Sequence, residues 1–366
     1  MKAFRVWVLF MTTALVFTQC NTNVAKRFSV NNSKIIYSGR VEKLGEEVVL
    51  IGSAASATAY FTGDTCVLYV KNNNSNGLHN FYSVELDKED LGRFRITGDT
   101  TVAIPIEIRF EREVHSIVLT KSTEAANGYI NFQGIYCDNL ETPPPPAMKS
   151  IEFIGNSITC GMGNDTLMIP CHTNQWYDQH NAYWAYGPTV SRALKVEYLL
   201  SSVSGIGIYR NWNGVGPTMP EVYENLYLNL NEEKKRDFTT FNPTIVSICL
   251  GTNDFSDGDG KNERLPFSAE TFTNTYIDFV QTILNHYPET QIALLNSPMV
   301  KGEKNELFLE CLNNVKKHFE GTEYKPFAIF TFEEIIPHGC DYHPDINDHM
   351  TMADQLFPFY SQLLEE

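Results

Sequence analysis

Four consecutive prolines, residues 143–146, fall near the middle of this chain. Residues without a backbone N–H cannot join a sheet ladder or a helix interior, and their fixed φ favours an extended, semi-rigid spacer. What folds before this run is therefore separate from what folds after it. The two sides also read differently. Before it come short β-branched or aromatic runs at 35–41, 48–51, 57–61, 66–70, 81–86, 94–96, 104–110, 115–120 and 129–136, separated by Gly, Asn and Asp clusters. No helical period interrupts them, which predicts an all-β antiparallel sandwich of jelly-roll type.

After the prolines the pattern alternates. Strand candidates at 151–154, 197–201, 244–250, 291–295 and 327–331 are interleaved with amphipathic segments. Phe272, Tyr276, Phe279, Val280, Ile283, Leu284 and Tyr287 share one helical face behind a Ser268 N-cap. Leu307, Phe308, Cys311, Leu312, Val315 and Phe319 share another, and a last helix runs from about 349 to 364. Apolar strands alternating with such helices predict an α/β domain, a parallel sheet covered on both faces. The expected organisation is a β domain over 30–141, a linker over 142–147 and an α/β domain over 148–366.

Residues 1–20 stay outside the fold. Lys2 and Arg5 precede an apolar run, 6–17, that is short for a bilayer span and stops at Thr18-Gln19-Cys20. The arrangement resembles a bacterial lipoprotein signal, in which Cys20 is lipidated and becomes the new N-terminus. An ordinary secretory signal is the other reading. Either way the chain is expected to be exported, to the periplasm or cell surface if lipid-anchored, and otherwise secreted. The anchor would be its one contact with membrane.

The formal charge of −16 leaves no basic stripe to displace phosphate counterions, so nucleic acid is not an expected partner. A neutral substrate meets no such conflict. Eight cysteines contain no CxxC pair, which argues against a zinc ribbon or a thioredoxin-type site. Cys160 and Cys171 bracket one loop and are the candidates for a local disulfide; most of the others read as buried thiols. His338, Cys340, His343 and His349 fit no zinc spacing, so neither metal nor cofactor is expected.

Four features lie at the ends of predicted strands, and in a parallel sheet those ends share one edge. They are Ser157, Gly205 within Ser204-Gly205-Ile206-Gly207, Asn253 within Gly251-Thr252-Asn253-Asp254, and His343 within Asp341-Tyr342-His343-Pro344. Together they hold the parts of acyl transfer. A serine hydroxyl needs an imidazole to take its proton, and a carboxylate fixes that imidazole's tautomer. The tetrahedral intermediate needs donors, which the Ser157 N–H, the Gly205 N–H and the Asn253 amide could supply. Asp341, two residues before His343, is the candidate acid. Asp254 reads as structural. Trp212 and Tyr342 adjoin the same edge and are candidates for substrate contact.

In order and content these four blocks resemble blocks I, II, III and V of the SGNH (GDSL-like) hydrolases. The leading all-β domain, the Asp-x-His spacing and the run 204–211 resemble carbohydrate esterase family 2 in particular. That resemblance implies a flavodoxin-like SGNH domain behind a jelly roll, and removal of O-acetyl groups from plant-type polysaccharides or oligosaccharides through a Ser157 acyl-enzyme. Some members of that family are described as having a Ser–His dyad, with a backbone carbonyl in place of the acid. Two alternatives remain open on the sequence: an SGNH esterase for lipid or other small acyl esters, and a carbohydrate-binding lipoprotein with a dormant site.

Overall fold

A computed structural model describes residues 24–74, 78–231, 234–264 and 266–365. The expected export segment, with Cys20, lies outside the described residues. The first half carries β1 (Lys26–Phe28), β2 (Ile36–Ser38), β3 (Val41–Leu44), β4 (Glu47–Leu50), β5 (Ser56–Asn73), β6 (Asn80–Leu86), β7 (Glu89–Ile96), β8 (Thr101–Ile106), β9 (His115–Lys121) and β10 (Tyr129–Glu141). All pair antiparallel.

The two runs read as separate strands at 57–61 and 66–70 are one 18-residue strand, β5. Gly63, at φ +98, absorbs the bend that the intervening turn-like residues signal, while pairing to β10 resumes on both sides of it. The bend gives the strand two neighbourhoods. Residues 56–61 pair with β9, and residues 66–71 pair with β8. Val70, Phe132 and Leu50 from one part and Phe61, Leu119 and Val84 from the other share a single apolar core.

The second half holds a five-stranded parallel sheet of β11 (Ser150–Gly155), β12 (Glu197–Ser202), β13 (Ile245–Cys249), β14 (Gln291–Leu295) and β15 (Ala328–Phe330). Their spatial order is β12-β11-β13-β14-β15, the doubly wound order in which the switch point lies beside the first strand. The helices are α1 (Ser157–Cys160), α2 (Tyr186–Leu194), α3 (Met219–Val222), α4 (Thr252–Phe255), α5 (Ala269–His286), α6 (Glu303–His318) and α7 (Ile346–Glu365). Successive strand side chains point to opposite faces. Val246 and Ile248 accordingly pack with Phe279 of α5 and Leu312 of α6, and Ile245 and Cys249 with Val190 of α2 and Leu356 of α7. The Ser268 hydroxyl accepts the Thr271 N–H at 3.2 Å and caps α5 as its sequence indicates.

Polar side chains buried between the two halves fix their docking. Arg40, from the β domain, donates to the Ser201 hydroxyl at 3.0 Å and to the carbonyls of Tyr223 at 2.8 Å and Asn225 at 2.7 Å. Arg93 pairs with Asp165 at 3.0 Å and donates to the Asp178 carbonyl at 2.7 Å. Buried groups of this kind demand one geometry, because any other orphans them. The β domain is thereby held against the loops that follow β11 and β12.

Candidate active site

β11 ends at Gly155, where a Cβ would lie 1.9 Å from the Thr159 hydroxyl, so only glycine lets the chain fold back this tightly. Asn156 then caps the one-turn α1, its side-chain oxygen accepting the Ile158 N–H at 3.1 Å. Ser157 is the first residue of α1. Its N–H belongs to the group of first-turn donors that a helix leaves without an internal partner.

The Ser157 Oγ lies 2.8 Å from Nε2 of His343. The other ring nitrogen, Nδ1, lies 2.9 Å from the main-chain oxygen of Asp341. A carbonyl can only accept, so Nδ1 carries the proton and Nε2 presents a lone pair to the serine O–H. Burial lowers the pKa of His343 below the usual imidazole value, although the Asp341 carbonyl acts against that shift. The ring is therefore a neutral base near pH 7.

The acid of the expected triad does not take that place. The Asp341 carboxylate is exposed and stands 3.6 Å from Nδ1 of His172. The cause is backbone geometry. Asp341 and Tyr342 are consecutive left-handed residues, at φ +53 and +62, in a turn closed by the His343 N–H to the Cys340 carbonyl at 3.0 Å. This turn brings the Asp341 carbonyl to the imidazole while its carboxylate reaches His172 at the surface. Two non-glycine left-handed residues in a row are costly, and such strain gathers at functional sites.

A disulfide anchors the same turn, and it is not the one expected from proximity in the chain. Cys340 is joined to Cys171. Cys160 is buried instead, its thiol donating to Glu124 at 3.1 Å with the Ser202 hydroxyl 3.2 Å from its sulfur. Cys66, Cys137, Cys249 and Cys311 are buried free thiols.

The expected oxyanion donors come together with the serine. Gly205 has φ +79, and a Cβ there would meet the Trp212 indole at 2.5 Å. Its loop is held by the buried Asp254 carboxylate, which accepts the N–H groups of Ile208, Tyr209 and Arg210 at 2.9, 3.0 and 3.1 Å. Burial pushes the Asp254 carboxyl up to about 6 against these bonds. Asn253, next to it on α4, donates one amide hydrogen to the Ile206 carbonyl at 2.7 Å. That contact orients the amide and leaves its second N–H for a ligand.

Ser157, His343, Gly205 and Asn253 all line one cleft of about 890 Å³. Trp212 and Tyr342 line it too, with exposures of 44% and 85%, so both are available to a ligand. Trp176, about half exposed, lines it as well. Its polar neighbours Thr173-Asn174-Gln175 were the one available signal that it lies at the surface. Among the described residues, His338, Asp345 and Asp348 bring metal-type ligand atoms within 4.8 Å of one another. The Asp348 carboxylate there already accepts the N–H groups of His338 at 2.8 Å and Asp345 at 2.9 Å, and so serves the start of α7.

The arrangement is chemically specific: a serine with a neutral base on its hydroxyl, in a cleft that Gly205 and Asn253 also line. Comparison with known proteins agrees. Residues 37–146 match the family described as carbohydrate esterase 2 N-terminal, and residues 151–356 match the GDSL-like lipase/acylhydrolase family. The chain is 30% identical over 254 residues to an acetylxylan esterase / glucomannan deacetylase of Cellvibrio japonicus, covering 68% of this chain and 69% of that one. It is similar to a family two carbohydrate esterase from Clostridium thermocellum, solved in complex with cellohexaose. That likeness has a TM-score of 0.80 at 26% identity and covers 90% of this chain and 99% of the other. The fold of a family two carbohydrate esterase from Cellvibrio japonicus matches at a TM-score of 0.81 and 20% identity, over 93% of this chain and 98% of that one.

Proposed function

The chain belongs to the GDSL-like hydrolases that carry a carbohydrate esterase 2 N-terminal domain, and from that premise we propose that it removes O-acetyl groups from plant-type polysaccharides or oligosaccharides. It is a carboxylic ester hydrolase. The observation that carries the reading is the 2.8 Å contact between Ser157 Oγ and His343 Nε2 inside the cleft.

Ser157 attacks the acetyl carbonyl as Nε2 of His343 takes its proton. The Asp341 carbonyl accepts the Nδ1–H throughout and supports the imidazolium with its dipole. The carbonyl oxygen, now negative, is met by the N–H groups of Ser157 and Gly205 and the amide of Asn253. Such donors act most strongly when preset for the transition state, which is the role of the Asp254 and Ile206 contacts. The imidazolium then protonates the departing sugar oxygen, leaving acetyl-Ser157. Water activated by His343 reverses the sequence and frees acetate. Trp212, Trp176 and Tyr342 offer ring faces to the sugar around the ester, a polar ligand with apolar C–H faces.

The cleft also has apolar wall residues, Met162, Met299 and Val300, which favour a second reading in which the acyl group is longer. Acetate release from acetylated xylan, acetylated glucomannan and monosaccharide acetates, set beside 4-nitrophenyl esters of increasing chain length, separates the two. Activity highest on acetylated carbohydrate supports the first. Rates that climb with acyl length, with no acetate from any carbohydrate, would replace it with the second.

The long strands β5 and β10, each paired along their length to different neighbours, support a jelly roll for the β domain. The export-type segment before Cys20 and the Cys171–Cys340 disulfide, a bond that persists in oxidising compartments, support a lipid-anchored place in the cell envelope. Metabolic labelling with a radioactive fatty acid, lost in Cys20→Ala, tests the anchor.

A further inference from the structure

We infer that Glu124, a residue of the β domain, is a positioning residue for the esterase site. Its carboxylate holds together the two backbone segments that present the Ser157 and Gly205 N–H groups. The inference rests on the esterase reading above and adds to it a group far from the reacting atoms in sequence and in domain.

Glu124 lies in the connection between β9 and β10 and is fully buried. Its Oε2 accepts the Ser204 N–H at 2.7 Å and the Cys160 thiol at 3.1 Å. Ser204 immediately precedes Gly205. Cys160 is the last residue of the single turn whose first residue is Ser157. One carboxylate oxygen therefore ties the loop after β12 to the turn after β11. Bonds to an ionised acceptor are shorter and about twice as strong as neutral ones. Burial alone would raise the Glu124 carboxyl, but His180, the Cys160 thiol and the Ser204 N–H hold it below the ordinary carboxylate value.

The connection that carries Glu124 is itself fixed. Lys121, also fully buried, donates from Nζ to the carbonyls of Thr123 and Glu124, both at 2.8 Å. The Ser122 N–H donates to Phe81 at 2.9 Å, and the Ser122 carbonyl accepts the Ala182 N–H of the other domain at 3.0 Å. The second carboxylate oxygen faces Nε2 of buried His180 at 3.9 Å. A rigid mount matters because oxyanion donors work only within a few tenths of an ångström of the charge they meet.

A buried Glu that merely joined two domains would cost stability when removed and leave turnover of the folded protein alone. A positioning residue lowers kcat and spares KM. The test is steady-state kinetics on 4-nitrophenyl acetate and an acetylated sugar, with thermal unfolding, for wild type, Glu124→Ala, Glu124→Gln and Ser157→Ala. Glu124→Ala is expected to lose about 10²-fold in kcat, comparable to deleting one oxyanion donor, with KM held within about threefold. Glu124→Gln keeps an acceptor for the Ser204 N–H without the charge, and is expected to lose about tenfold in kcat. If Glu124→Ala does not fold, Glu124→Gln decides in the same way. A cooperatively folded variant turning over at the wild-type kcat overturns the inference, as does a loss confined to KM. A wild type no faster than Ser157→Ala overturns the esterase reading and this inference together, whereas a fast wild type matched by the Glu124 variants overturns this inference alone.

Discussion

Asp341 separates two mechanisms that the sequence could not distinguish. Were its carboxylate the acid of a triad, replacing it would leave His343 in the wrong tautomer and cost about 10⁴ in kcat. Here Nδ1 donates to the main-chain oxygen of Asp341, which every side chain at that position provides. What the substitution does remove is an exposed charge beside His172, whose pairing contributes about 0–1 kcal/mol. Asp341→Asn also tolerates the left-handed backbone at φ +53, and is expected to keep kcat within about threefold of wild type. Asp341→Ala must adopt the same conformation without a polar side chain, at a cost of about 1–2 kcal/mol. That cost is expected in thermal stability, with kcat lowered less than about tenfold. The assay is acetate release at saturating acetylated oligosaccharide, alongside an unfolding curve for each variant. A loss of 10³-fold or more in folded Asp341→Asn would show that the carboxylate swings onto His343 during the reaction, and the dyad mechanism would be refuted.

Three further outcomes follow from the site. His343 must be neutral to accept the serine proton and its pKa is lowered, so kcat/KM is expected to rise with pH through a limb below the usual imidazole value of about 6.5 and to be flat above it; a limb above 7 in the pH–rate profile would contradict this. Cys171→Ser removes the bond that anchors the His343 turn across 169 residues of chain; it is expected to lower stability by about 2–5 kcal/mol in urea unfolding and to lower kcat as well. Asn253→Ala removes one oxyanion donor and is expected to lower kcat by about 10²-fold with little change in KM; unchanged kcat would remove the amide from the mechanism.

The parts of the site that could be read in advance are those whose chemistry demands a residue type at a strand end. Ser157, Gly205, Asn253 and His343 sit far apart in the chain, yet parallel pairing brings their strand ends to one edge. The Asp341 carbonyl was not legible in the residues themselves, because a main-chain acceptor leaves no mark on the sequence; only the family resemblance raised a dyad. Nor was the Cys171–Cys340 bond, whose partners lie 169 residues apart and meet only when the α/β domain has folded, whereas Cys160 was nearer along the chain. Glu124 was hidden because it lies in the β domain, and only the buried contacts of Arg40 and Arg93 show why that domain reaches the catalytic loops. The fusion of two predicted strands into β5 is a reminder that Gly63-Asp64 marks a bend as readily as a break.

The most direct measurement is acetate released from acetylated xylan or glucomannan by wild type and by Ser157→Ala at equal folded concentration. The wild type is expected to release acetate, and Ser157→Ala to be slower by at least about 10⁴-fold, as loss of the nucleophile requires. Equal rates from the two proteins would contradict a Ser157 acyl-enzyme and the function proposed from it.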